Sequence, residues 1–150
     1  MNDTRRTAYI SGALSNVEDL SSLKGFYERI GELCEASGIG AYVPHLMGTD
    51  PVENPDVTPK TVYARDMERV DAADLVIAYV GERSLGVGAE IERTQHTGAD
   101  VILLYEGERY VSRLTRGTPS VWATLQFVSF DEAIPRLRVL LERWKRERGG

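Results

Sequence analysis

Glu90 is the residue whose neighbours most suggest chemistry. It closes the stretch Arg-Ser-Leu-Gly-Val-Gly-Ala-Glu (83–90), which follows the apolar run at 73–80. Gly86 and Gly88 remove side chains where a strand should hand over to a helix, so backbone N–H groups there could approach an anion. Glu90 then has two readings. It is either a helix-start acid, worth about 0.3–1 kcal/mol against the macrodipole, or a reacting carboxylate. Asp66, in the preceding predicted helix, and Tyr9, in the first predicted strand, are the other reactive types nearby. By spacing alone Asp66 reads equally as a solvated helix acid. Tyr9 reads equally as a core residue whose hydroxyl needs one partner.

The elements that must position these groups follow from periodicity. Apolar runs predict strands at 7–11, 41–46, 73–80, 100–106 and 125–130. Helical spacing of Leu20, Leu23, Phe26, Ile30, Leu33 and Cys34 predicts a helix over 17–37, stopped by glycine. Further helices are expected at 59–72, 87–97 and 131–146, with a helical turn near 110–117. The third and fourth strands are apolar without alternation, as in strands buried on both faces. Strands alternating with helices imply an α/β fold: a doubly wound, five-stranded parallel sheet with helices on both faces, Rossmann- or flavodoxin-like. No repeat or linker interrupts 1–150, so one domain is expected. In such sheets ligands gather beyond the carboxyl ends of the strands. The loop at 47–59, with three prolines and no periodicity, is long enough to be functional.

Composition excludes several classes. With 18 basic against 23 acidic residues there is no cationic excess for a polyanion, so no nucleic-acid partner is expected. The basic tail at 143–150 suits a helix end. One cysteine, Cys34, and two histidines, His45 and His96, make a zinc site improbable, and no metal or cofactor is expected. Cys34 falls on an apolar helix face and reads as core. No apolar run reaches the roughly 18 residues of a membrane span, and the N-terminus does not read as a signal peptide, so a cytoplasmic protein with no membrane partner is expected. The glycine pair lacks the full dinucleotide fingerprint, which disfavours that site.

At 73–93 the sequence resembles the nucleoside 2-deoxyribosyltransferase superfamily, above all its 2'-deoxynucleoside 5'-monophosphate N-glycosidase branch. The likeness begins at Tyr-Ile-Ser-Gly-Ala-Leu-Ser (9–15) and ends near residue 117. The resemblance implies a nucleophile at Glu90, a catalytic aspartate at Asp66 and the first-strand tyrosine at Tyr9. It further implies phosphate contacts from Ser84 and from backbone at Gly12, Ala13, Gly86 and Gly88. His45 would lie near the base. Ser112 would reach the neighbouring site of a homodimer, and the substrate would be a small nucleotide or nucleoside. The branch commonly has serine and arginine where this chain has Ala13 and Ser15, which removes a hydroxyl and a cation from the phosphate pocket. Arg113 or Arg116 could compensate. A base-exchanging transferase and a non-catalytic nucleotide-binding module are the alternatives.

Overall fold

The computed structural model describes residues 5–149. Five strands, β1 (Thr7–Ser11), β2 (Gly40–Tyr42), β3 (Leu75–Tyr79), β4 (Asp100–Glu106) and β5 (Val121–Phe127), form one sheet in the order β2-β1-β3-β4-β5. All neighbours pair in parallel, so the α/β doubly wound expectation is met. Helices α1 (Leu20–Ala36) and α5 (Phe130–Glu147) cover one face, while α2 (Pro59–Ala72) and α3 (Leu85–Thr97) cover the other. A short helix α4 (Arg113–Arg116) lies between β4 and β5.

Strand alternation sorts the core into two layers. Ala8, Ile10, Leu75, Ile77, Ile102 and Leu104 pack under α1 and α5, beside a cluster of aromatic rings around Phe26. Tyr9, Val76, Ala78, Val101 and Leu103 pack under α2 and α3. Cys34 is fully buried in the first layer, and burial pushes its thiol up to about 12, as suits an inert core residue. Among the described residues no helix is long and apolar enough to cross a membrane.

Four boundaries differ from the sequence reading, each for a local reason. Helix α1 begins at Leu20, not 17, because Asp19 accepts the Ser22 N–H and caps it. Strand β2 ends at Tyr42, and Pro44–Leu46 turns into a short 3-10 helix, so His45 is not a strand residue. Strand β5 lies at Val121–Phe127, earlier than 125–130, because Ser129 caps α5 by accepting the Glu132 N–H. Helix α3 starts two residues early, at Leu85, since Ser84 accepts the Val87 N–H. That last shift bears on function: α3 has no acid in its first turn, and Glu90 sits in its second. The helix-dipole reading of Glu90 therefore loses its basis.

Candidate active site

The site grows out of β1, the strand at which the chain switches direction across the sheet. Tyr9 and Ser11, two residues apart, point to the same face. There they meet Glu90 from α3. The Tyr9 hydroxyl donates a short hydrogen bond to Oε2, and the Ser11 hydroxyl donates to Oε1 at 2.7 Å. Each carboxylate oxygen thus has its own donor, which fixes the plane of the group. Tyr9 is itself held by stacking on Tyr42, its ring neighbour on β2, at 5.7 Å between centroids. The Arg69 guanidinium covers the Tyr42 ring at 5.1 Å.

Electrostatics leave Glu90 poised between protonation states. Burial raises its pKa to about 7; the Tyr9 and Ser11 hydrogen bonds pull it down, and the Asp66 charge pushes it up. Burial also raises Asp66, against a lowering hydrogen bond from the Thr49 hydroxyl at 3.2 Å. Neither carboxylate has an ion-pair partner among the described residues. Two uncompensated carboxyls facing one cavity is the arrangement expected where proton transfer or nucleophilic attack is to occur.

That cavity, about 480 Å³, opens between the proline-rich loop, α2 and the start of α3. Glu90, Asp66, Thr49, Asn54 and Gly86 supply its polar atoms and open backbone, and Pro51, Pro55, Val57, Pro59 and Val62 give it apolar walls. Its size and lining suit a small, flat, mostly apolar ligand with a few polar handles.

The other expected site residues divide between two further places. Ser84 and Ser112 line a second cavity of about 350 Å³ together with Gly88 and Arg83, across α3 from the first. Both serines cap helices, accepting N–H bonds from Val87 and Thr115, so each hydroxyl proton stays available as a donor. Gly12 and Ala13 line neither of these two cavities. A side chain at Gly12 would fall 2.2 Å from the Tyr27 ring, and the Ala13 carbonyl accepts the Tyr27 hydroxyl at 2.9 Å. Close packing alone accounts for that glycine. His45 is buried beside α1, its Nε2 at 2.7 Å from Glu28, with Nδ1 lacking a partner among the described residues. It does not line the Glu90 cavity. Ser11 and Thr49 were missing from the sequence reading. The two-residue step from Tyr9 could have found Ser11, but nothing local in the sequence connects Thr49 to Asp66.

No family model matches the chain. A protein of Thermofilum pendens, provisionally named 2'-deoxynucleoside 5'-phosphate N-hydrolase 1, is 38% identical over 90 residues, 57% of this chain. The chain spans 62% of that relative's length. Among solved structures, a CMP N-glycosidase of Clostridium botulinum superposes with TM-score 0.69 at 18% identity, covering 90% of this chain and 99% of the other. A 2-deoxyribosyltransferase of Bacillus psychrosaccharolyticus gives TM-score 0.62 at 16% identity, covering 83% of this chain and 88% of the other. At those identities the two structures speak for a shared fold. Sequence and fold together support the resemblance to the nucleoside 2-deoxyribosyltransferase superfamily: over part of its length the chain is similar in sequence to a 2'-deoxynucleoside 5'-phosphate N-hydrolase, and in fold to the two solved structures.

Proposed function

We propose that the protein is an N-glycosidase that releases the free base from a nucleoside 5'-monophosphate. The observation carrying this reading is Glu90, a carboxylate held by two hydroxyl donors and facing a cavity it shares with Asp66. An ionised Glu90 oxygen attacks C1' as the C1'–N bond breaks. The bond electrons leave on the base nitrogen, and Asp66 delivers a proton to the base. Water then displaces Glu90 from C1', its proton returning to Asp66, and the sugar phosphate departs. Tyr9 and Ser11 orient Glu90 through both steps. Tyr9, whose hydroxyl stands beside Glu90, would crowd C2' of the bound sugar, which favours deoxyribose over ribose.

The 5'-phosphate is assigned to the start of α3, where the Ser84 hydroxyl and the Gly86 N–H offer donors; the Gly88 N–H already meets the Ser84 carbonyl, and Gly12, Ala13 and His45 line neither cavity. Ser112 caps the neighbouring helix; in a homodimer it would serve the partner's phosphate. Within the described residues 5–149, all this chemistry belongs to one domain.

Chromatography of reactions with the common nucleosides and their monophosphates tests the reading. Release of free base from monophosphates, abolished in Glu90→Ala, is expected. Undiminished release by Glu90→Ala would overturn it. A second reading, transfer of deoxyribose between bases, draws on Ala13 and Ser15, which weaken the phosphate pocket. It predicts faster turnover of unphosphorylated nucleosides when a second base is added.

A further inference from the structure

Asn54 sits in the wall of the Glu90 cavity with its carboxamide orientation already decided. The Asp50 N–H donates to Asn54 Oδ1 at 3.2 Å, and a backbone N–H can only be met by the amide oxygen. The turn is closed from both directions, because the Asn54 N–H donates to the Asp50 carbonyl at 2.8 Å. Asp50, 1% exposed, pairs with Lys24 of α1 at 2.5 Å and accepts the Val52 N–H at 3.1 Å. Rotating the carboxamide would strand the Asp50 donor, so the NH2 group is the end of Asn54 left for the cavity. It has no hydrogen-bond partner among the described residues.

Of the two side-chain hydroxyls of this cavity, that of Thr49 has its proton engaged. The single Thr49 proton is directed to Asp66 or to the Pro44 carbonyl, each at 3.2 Å. The exposed Tyr63 hydroxyl accepts from Arg93 at 3.4 Å and keeps its own proton. Prolines, valines, Met67 and Ala89 supply the apolar wall, beside Gly86 and the two carboxyls. A base entering this cavity therefore meets the Asn54 NH2 as a free neutral donor, while the Asn54 oxygen is turned to the Asp50 N–H.

We infer that Asn54 is a specificity-determining residue that selects nucleobases carrying an exocyclic oxo group over those carrying an amino group in the same position. This rests on the N-glycosidase reading for the identity of the ligand. An oxo group accepts from the Asn54 NH2, whereas an amino group sets N–H against N–H and leaves both unpaired in an apolar wall.

The test compares matched pairs: deoxyuridine with deoxycytidine monophosphate, and deoxyinosine with deoxyadenosine monophosphate. In the wild type, kcat/KM for base release is expected to favour the oxo member of each pair about tenfold. Asn54→Ala should bring each ratio within about twofold of unity, and Asn54→Asp, which presents an acceptor, should reverse it. Thermal melting identifies any variant that fails to fold, and the other variant then decides. Dissociation constants for the same four nucleotides on Glu90→Gln supply an arm independent of turnover. No base release from any nucleotide would sink the N-glycosidase reading, while the binding ratios would still judge Asn54. A wild-type preference for amino bases, a ratio unchanged in Asn54→Ala, or no binding of any of the four would overturn the inference.

Discussion

The sheet carries two tyrosine–carboxylate pairs on opposite faces, and only one of them looks reactive. Tyr9 bonds Glu90 under α2 and α3; Tyr79, on the α1 and α5 face, bonds both oxygens of Glu106 at 2.8 and 3.0 Å. Burial raises both tyrosine hydroxyls well above their ordinary range, so both act as donors. What separates the pairs is their company. Glu106 has Arg109 at 3.8 Å, itself bridged to Glu82 at 3.1 Å, and a side chain at Gly81 would fall 2.5 Å from its oxygen. It is neutralised and closely packed. Glu90 has no cation paired with it among the described residues, a second carboxyl within electrostatic reach, and open space beside it. A tyrosine partner alone does not mark a reacting acid; the withheld counter-charge does.

Removing each acid in turn should break the symmetry most sharply. Glu90→Ala is expected to cut the rate of base release at least 10³-fold, the scale of losing a nucleophile. Glu106→Gln should stay within a few-fold of wild type. Equal losses in the chromatographic assay would mean the two pairs had been misjudged.

Next comes the proton shared between Glu90 and Asp66. The working form holds one proton between the two carboxyls, so kcat/KM should be bell-shaped, its alkaline limb near 7. Asp66→Asn is expected to lose about 10²-fold in rate and to turn the bell into a single limb rising with pH, because only the ionisation of Glu90 remains. A bell that survives the substitution would remove Asp66 from the pair.

A smaller effect is expected at Ser11. Its hydrogen bond lowers the Glu90 pKa, so Ser11→Ala should move the alkaline limb upward and reduce kcat by about tenfold. An unmoved limb would make Ser11 a packing residue only.

The smallest effect concerns stability. With Glu90 raised from 4.5 to about 7, the folded chain keeps a proton that the unfolded chain gives up at lower pH. This group's contribution therefore falls as pH rises from about 4.5 through about 7. Glu90→Gln should be more stable than wild type by about 1–3 kcal/mol at pH 8, and the gap should close below pH 4.5. Denaturant titrations at the two pH values measure it.

Most of the architecture is legible in the sequence, because buried parallel strands and amphipathic helices write distinct periods into it. Strand β5 was misplaced because it lies at an edge, where Trp122, Thr124 and Gln126 do not make a continuous apolar run. The candidate site was legible in part. Glu90, Asp66 and Tyr9 came from a resemblance, and the structure brings the Glu90 carboxylate to the Tyr9 hydroxyl and into one cavity with Asp66. Ser84 and Ser112 share another cavity, and no periodic rule predicts which side of a helix end a capping serine will face. Thr49 and Asn54 were invisible because an aperiodic loop acquires its shape from contacts distant in sequence, here Lys24 with Asp50.

The turn at residues 50–54 is closed by its own backbone and moored by one lysine, while Glu90, the proposed nucleophile, is held by β1 and α3. On the proposed function, discrimination and bond cleavage are thereby housed in separately replaceable parts. A library randomising residues 51–53 and 55–57, with Lys24, Asp50 and Asn54 retained, should yield enzymes of altered appetite that keep the parent's melting behaviour.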